Sequence, residues 1–330
     1  MRVLVVRLDN LGDVLLSEPA VRAVAARADE VVMLCGPRGR AAADLLPGLD
    51  GVIEWCAPWI DPEPGPVEAA AVDELVGAVR GFDRALIFTS FHQSPLPLAL
   101  LFRLAGIAWI GAISDDYPGS LLDLRHRCEG DVPETLRMLS LATAAGFPAP
   151  ADTRPRLRQP LPDITGLTGG HGYVVVHPGT SVPARAWPPE RCAEAVIRLA
   201  ASGRRVVVTG HRDEKELTAR VAGADGLDLG GRTTFPELAA VLAGADAVVA
   251  GNTGPAHLSA AAGTPVVSLF APTVPAARWA PHGVPVALLG DQRAPCRGSR
   301  ARECPIAGHP CLSSVTADQV VAALEELIAR

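Results

Sequence analysis

The chain has 330 residues, 48% of them hydrophobic and only 4% aromatic, so it is long enough for two ordinary domains whose cores must be filled by Val, Leu and Ala. Its net charge is −6, and Lys215 is the one lysine beside many arginines. That balance excludes a general nucleic-acid binder and a protein held on anionic lipid by bulk charge alone.

The N-terminal run from Val3 to Leu8 reads as a buried strand. It is too short for a signal peptide, and Asp9 and Asp13 follow at once, so a cytoplasmic chain is expected. Val14 to Ala28 has helical apolar spacing, Glu30 to Cys35 is a second strand, Val67 to Val79 a helix, Ala85 to Phe88 a strand, and Leu96 to Ala105 a helix. Continuous apolar strands alternating with helices predict a parallel sheet built from βαβ units. From about Phe147 to Gly172 five prolines and Gly169-Gly170 interrupt any regular element, which marks a linker. The alternation then restarts: strand Tyr173 to His177, helix Pro188 to Ala201, strand Arg205 to Thr209, helices Glu214 to Val221 and Phe235 to Ala243, and strand Ala247 to Ala250. Helix Pro255 to Ala262 closes at Gly263, a C-cap residue, before strand Val266 to Phe270 and a terminal helix Thr316 to Ala329. Two Rossmann-like domains are therefore expected, 1–160 and 161–330, with parallel sheets facing a central cleft. In open α/β sheets ligands sit at the carboxyl ends of strands, so the residues just after each strand are the candidates.

After the first strand come Asn10, Gly12 and Asp13. Asp13 reads either as an N-cap or as a general base kept ionised near a helix N-terminus. His177-Pro178-Gly179-Thr180-Ser181, with Arg185 following, reads as a Ser/Thr turn with a solvated Arg, or as a phosphate cradle in which Arg185 supplies a forked donor. Gly251-Asn252-Thr253-Gly254-Pro255-Ala256-His257 places an N-cap (Thr253) and a first-turn proline where backbone N–H groups can hold an anion; His257 alone reads as a structural histidine as readily as a ligand. Gly210, after the strand ending at Thr209, is placed to meet a nucleoside. The tail holds Cys296, Cys304, Cys311 and His309, but lacks the C-x-x-C spacing of structural zinc sites. Seven scattered Cys make no disulfide framework. No G-x-G-x-x-G follows a strand, and there is no Walker loop and no D-x-D pair. A carboxylate in one half and phosphate loops in the other suit transfer of a sugar from a nucleotide diphosphate to a hydroxyl. A nucleotide-sugar epimerase and a non-catalytic nucleotide-sugar-binding protein are the alternatives.

The run RLDNLGDVLLSEP (Arg7 to Pro19) resembles the N-terminal motif of glycosyltransferase family 9. HPGTSVPARAWP (His177 to Pro188), GNTGPAHLSAAAGTPVVSLFAPT (Gly251 to Thr273) and CPIAGHPCL (Cys304 to Leu312) resemble its later motifs, in the expected order. The resemblance implies a GT-B fold, with acceptor on the N-terminal and donor on the C-terminal domain. It implies an inverting, metal-independent heptosyltransferase with no cofactor, ADP-heptose as donor, and a place in lipopolysaccharide synthesis. Asp13 would be the catalytic base, with Asn10 and Gly12 on the acceptor side. The donor would be bound by Gly179, Thr180, Ser181, Arg185, Gly210, Asn252, Thr253, Gly254, Pro255 and His257. The acceptor would be a glycan, a lipid-linked glycan or a small molecule, with no nucleic acid and at most peripheral membrane contact. Two departures stand out: Arg185 where the family often has Lys, and Pro133-Glu134 where it often has a His.

Overall fold

The computed structural model describes residues 1–61 and 63–329. Two compact units divide the chain, Met1–Arg158 and Gln159–Arg330. The first holds strands β1 (Arg2–Arg7), β2 (Glu30–Cys35), β3 (Gly51–Glu54), β4 (Arg84–Ile87), β5 (Trp109–Ile113) and β6 (Leu124–His126). The second holds β7 (Val174–His177), β8 (Val206–Val208), β9 (Leu227–Asp228), β10 (Ala247–Gly251), β11 (Val266–Leu269) and β12 (Val286–Leu289).

Each unit is one six-stranded sheet, ordered β3-β2-β1-β4-β5-β6 in the first and β12-β11-β10-β7-β8-β9 in the second. All pairings are parallel. Numbered within its own unit, the second sheet repeats the order of the first. In both, the chain starts at the centre, runs to one edge, then returns to build the other half. The order therefore reverses between β1 and β4, and between β7 and β10, the points where open α/β sheets take ligands, beyond the carboxyl ends of the strands. Helices cover both faces of a sheet of this kind, which is why Val3–Val6 and Val174–Val176 are aliphatic without alternation and fully buried.

The continuous helix expected over 14–28 is two, Leu11–Leu16 and Glu18–Ala25. Pro19 has no N–H to carry a helix across the junction, and the Ser17 hydroxyl donates instead to the Val14 carbonyl at 2.6 Å. β3, β5, β6, β9 and β12 had no clear counterpart in the sequence pattern. β3, β6, β9 and β12 are short or edge strands, where burial is partial and the apolar signal fades, whereas β5 is buried over Ile110–Ile113. The Pro-rich stretch is bound to the first unit as far as Arg158, whose N–H donates to the Leu45 carbonyl at 2.8 Å and whose guanidinium reaches the Leu46 and Leu49 carbonyls. Gly263 ends the helix Gly254–Ala262 in the left-handed conformation, φ 88°, which an L side chain would resist. Among the described residues, no helix is long and apolar enough to cross a membrane.

Candidate functional site

The switch point of the first unit is organised by Arg7. It closes β1 with a side chain that is 0% exposed, a position where a charge must be paired. Its Nε lies 2.8 Å from Asp9 Oδ2. Its Nη1 lies 3.1 Å from Glu134 Oε1. Its Nη2 lies 2.9 Å from both Asp13 Oδ1 and Ser90 Oγ. Ser90 follows β4, so both strands flanking the switch point contribute. Glu134 arrives from the helix Glu134–Ala144, 127 residues along the chain from Arg7. The same Glu134 oxygen takes Arg137 Nη1 at 3.0 Å. Asp9 also accepts from Gln93 Nε2.

Asp13 is not the N-cap of its helix. Asn10 occupies that position, and Asp13, three residues on, accepts the Asn10 N–H at 3.3 Å through Oδ2. Asp13 keeps 17% of its side chain exposed. Burial pushes its carboxyl up to about 6; Arg7 pulls it down, while Asp9 and Glu134 push it further up. Burial by itself would lower the Arg7 guanidinium, but the three carboxylates together raise it. Three carboxylates thus face two guanidiniums, and Asp13, the most exposed of the three, has spare proton affinity.

In the second unit, β7 runs into His177-Pro178-Gly179 and β10 into Asn252-Thr253. His177 is buried, contacts Thr209 Oγ1 through Nδ1 at 2.9 Å, and is lowered to about 4 by burial, with Glu214 opposing. A Cβ at Gly179 would overlap the Glu214 carboxylate, and one at Gly210 would lie 2.5 Å from Thr218 Cγ2. Glu214 accepts the His211 N–H at 2.8 Å, so it lies across the ends of β7 and β8, and only glycine leaves room for it. Thr180 forms the expected turn, accepting the Val182 N–H at 3.2 Å, and Ser181 is exposed.

Thr253 takes the N-cap position of the helix Gly254–Ala262 with extended backbone, φ −144° and ψ 170°, but its hydroxyl makes no cap hydrogen bond. First-turn N–H groups are thus left without a side-chain partner at a helix end beside the switch point. His257, in that turn, is buried and lowered to about 4 by burial and then by the charge of Arg185. It is neutral near pH 7. A Cβ at Gly251 would lie 3.1 Å from the Arg185 carbonyl, so the Arg185 turn packs directly on the end of β10. Asn252 Nδ2 and His257 Nδ1 are buried without a hydrogen-bond partner among the described residues. Buried polar atoms of that kind carry a desolvation penalty of roughly 1–3 kcal/mol each unless a ligand meets them. The Gly179 loop and the Asn252–His257 segment therefore come together around Arg185. His177, Pro178, Gly179, Arg185, Trp187 and Gly251 line one recess there.

The structure gives roles the sequence reading did not assign to Arg7 and Glu134, and adds Ser90, Gln93 and Arg137 in the first unit and Glu214 in the second. One local sign existed, a charged residue ending an otherwise apolar strand at Arg7. The tail cysteines lie apart from this chemistry. Cys296 and Cys311 are buried in the aliphatic core of the second unit, and His309 Nε2 contacts the Ala184 carbonyl at 3.1 Å. Burial pushes the Cys311 thiol up to about 11, with Cys296 and Cys304 adding to it. Among the described residues, no group of three or more His, Cys, Asp or Glu side chains is arranged to hold a metal ion.

Two parallel α/β sheets of identical strand order, each with polar residues gathered at its switch point, define a GT-B glycosyltransferase fold. Solved structures share it. E. coli ADP-heptose lipopolysaccharide heptosyltransferase II superposes with a TM-score of 0.74 over 100% of this chain and 99% of that one, at 20% identity. E. coli heptosyltransferase WaaC with ADP gives 0.73 over 99% of each chain, at 23% identity. The chain belongs to glycosyltransferase family 9: the family model described as Glycosyltransferase family 9 (heptosyltransferase) matches residues 99–308. In sequence it is 31% identical over 182 residues to lipopolysaccharide heptosyltransferase 3 of Escherichia coli, an alignment covering 52% of this chain and 51% of that protein. The chain thus spans about half the length of the curated relatives it matches, or less.

Proposed function

We propose that this chain is an inverting glycosyltransferase that moves a heptose from ADP-heptose to an acceptor hydroxyl, without a metal ion. The first unit receives the acceptor and the second the donor, with boundaries near residues 1–160 and 161–330. The observation that carries this reading is Asp13: a half-buried carboxylate at the switch point of the first sheet, raised to about 6 and so able to take a proton near neutral pH. Family membership supports the reaction class, and the ADP bound to the WaaC relative supports the nucleotide.

In the proposed step the acceptor oxygen attacks the anomeric carbon as the bond from that carbon to the diphosphate oxygen breaks. The hydroxyl proton passes to Asp13, and the electron pair leaves with ADP. Asn10 and Gly12 border the acceptor oxygen. Charge growing on the diphosphate is met by the Arg185 guanidinium, by the Gly179-Thr180-Ser181 loop, and by the first-turn N–H groups after Thr253 at Gly254 and beyond Pro255. Asn252 Nδ2 and the neutral His257 donate to its oxygens, which gives both orphaned groups a partner. Gly210 and Glu214 lie toward the nucleoside. The acceptor is a glycan or lipid-linked glycan hydroxyl, as in lipopolysaccharide synthesis. The reaction requires that the Asp13 carboxylate and the bound diphosphate reach the same anomeric carbon from opposite sides.

The test is transfer from ADP-heptose to a panel of glycan acceptors, with Asp13→Asn as control. Asp13→Asn is expected to lose transfer by roughly 10²–10⁴ while calorimetry still shows ADP binding. Near-normal turnover in that variant would remove Asp13 from the mechanism.

A further inference from the structure

Arg7 could grip Asp13 with two nitrogens, as arginine usually does with a carboxylate. It does not. Nε is ion-paired with Asp9 at 2.8 Å without a hydrogen bond, Nη1 donates to Glu134, and Nη2 is shared by Asp13 and Ser90. Asp13 thus receives a single guanidinium N–H, through Oδ1. Among the described residues its Oδ2 accepts only the 3.3 Å contact from the Asn10 N–H. Glu134 is the deepest of the three carboxylates, 0% exposed. Pro133 precedes it at the N-cap, so Glu134 opens its helix with its side chain fixed beneath the sheet end. One oxygen serves both guanidiniums, Arg7 at 3.1 Å and Arg137 at 3.0 Å, while Oε2 has no hydrogen-bond partner among the described residues. Arg137 is anchored in turn, its Nη1 donating to the Thr89 carbonyl. A buried carboxylate half-used in this way is not the arrangement that hydrogen bonding alone would select. What it does is hold one end of the Arg7 fork away from Asp13.

We propose that Glu134 is a positioning residue for Asp13: by claiming Nη1 of Arg7 it prevents a two-pronged grip on the Asp13 carboxylate and leaves one Asp13 oxygen to take a proton. This rests on the reading of Asp13 as base. The charged groups facing Asp13 are Arg7 from β1, Asp9 from the loop after it, and Glu134 from the helix beginning at that residue; Arg137 stands behind Glu134. Two carboxylates other than Asp13 share the charge of Arg7, so Arg7 lowers Asp13 less than an undivided pair would.

The experiment is a pH titration of the full chain carrying ¹³C-labelled Asp carboxyls, followed by NMR, with Asp13→Asn assigning the Asp13 signal. Glu134→Gln keeps the shape and removes the charge. It is expected to move the Asp13 midpoint down by on the order of one pH unit, because Arg7 is freed toward Asp13 and a neighbouring negative charge is gone. Arg137→Gln is expected to move it up, since Glu134 then leans on Arg7 alone and a cation has been lost. Thermal denaturation establishes which variants fold, and either folded variant suffices. A midpoint that stays in place, or moves in the opposite sense, overturns the proposal; a purely structural Glu134 would alter melting without these opposed shifts. The readout needs no substrate. Loss of the base reading, seen as normal transfer by Asp13→Asn, is therefore distinguishable from loss of this one.

Discussion

Neutralising Asp13 should make the protein more stable near neutral pH while abolishing its activity. The Asp13 carboxyl is raised from an ordinary 3.8 to about 6. Above pH 6 the folded chain holds a carboxylate that would rather be neutral, and the unfolded chain does not. Roughly two pH units correspond to about 3 kcal/mol of stability withheld. Asn keeps the shape and still accepts from Arg7 Nη2, but its amide cannot accept the Asn10 N–H, a loss of about 1 kcal/mol. The balance is about 2 kcal/mol in favour of Asp13→Asn, or roughly 4–8 °C in melting temperature for a unit of this size. The pH dependence carries the same sign. The folded value lies above the unfolded one, so the stability associated with a neutral Asp13 is fully present below about pH 4 and is lost as pH rises through 6. Thermal melts of wild type and Asp13→Asn at pH 8, 6 and 4 should therefore show the variant furthest above wild type at pH 8 and level with it or slightly below at pH 4. A variant that melts below wild type by the same margin throughout would mean that Asp13 is a structural anion held by Arg7, and the desolvation argument would fail.

Arg185→Ala is expected to weaken ADP binding by roughly 10- to 100-fold, as for the loss of a charged hydrogen bond; calorimetry with equal affinity for both proteins would contradict its role. Gly179→Ala drives a Cβ into the Glu214 carboxylate and should lower donor affinity and cost about 1–3 kcal/mol of stability, whereas Gly179→Ala combined with Glu214→Ala should recover stability in a denaturation assay. Transfer is expected to proceed in excess EDTA, because Arg185 and the helix end after Thr253 supply the positive field that a cation would otherwise supply; an assay abolished by EDTA and restored by Mg²⁺ would refute that.

Much of this was legible along the chain. Aliphatic runs separated by helical spacing announced two parallel sheets, because a strand buried on both faces needs no polar alternation. The loops after β7 and β10 were readable as candidate anion sites because Gly, Thr and Pro act through their own backbone geometry. Where longer context intervened, the reading slipped. Val14 to Ala28 read as one helix, which Pro19 divides, and of the two readings of Asp13 the N-cap place belongs to Asn10.

The amino-acid sequence by itself determined the fold class, the family and the segments that carry polar chemistry, since each depends on residues within a turn or two of one another. Only the tertiary structure decided the state of those groups. Arg7 and Glu134 stand 127 positions apart, and beyond the charge that ends an apolar strand at Arg7, nothing local shows that this arginine is divided among three carboxylates. Proton affinity depends on burial and on charges brought near through space. A linear pattern encodes neither directly, so the poise of Asp13 appears only once β1 and the helix that starts at Glu134 are packed together.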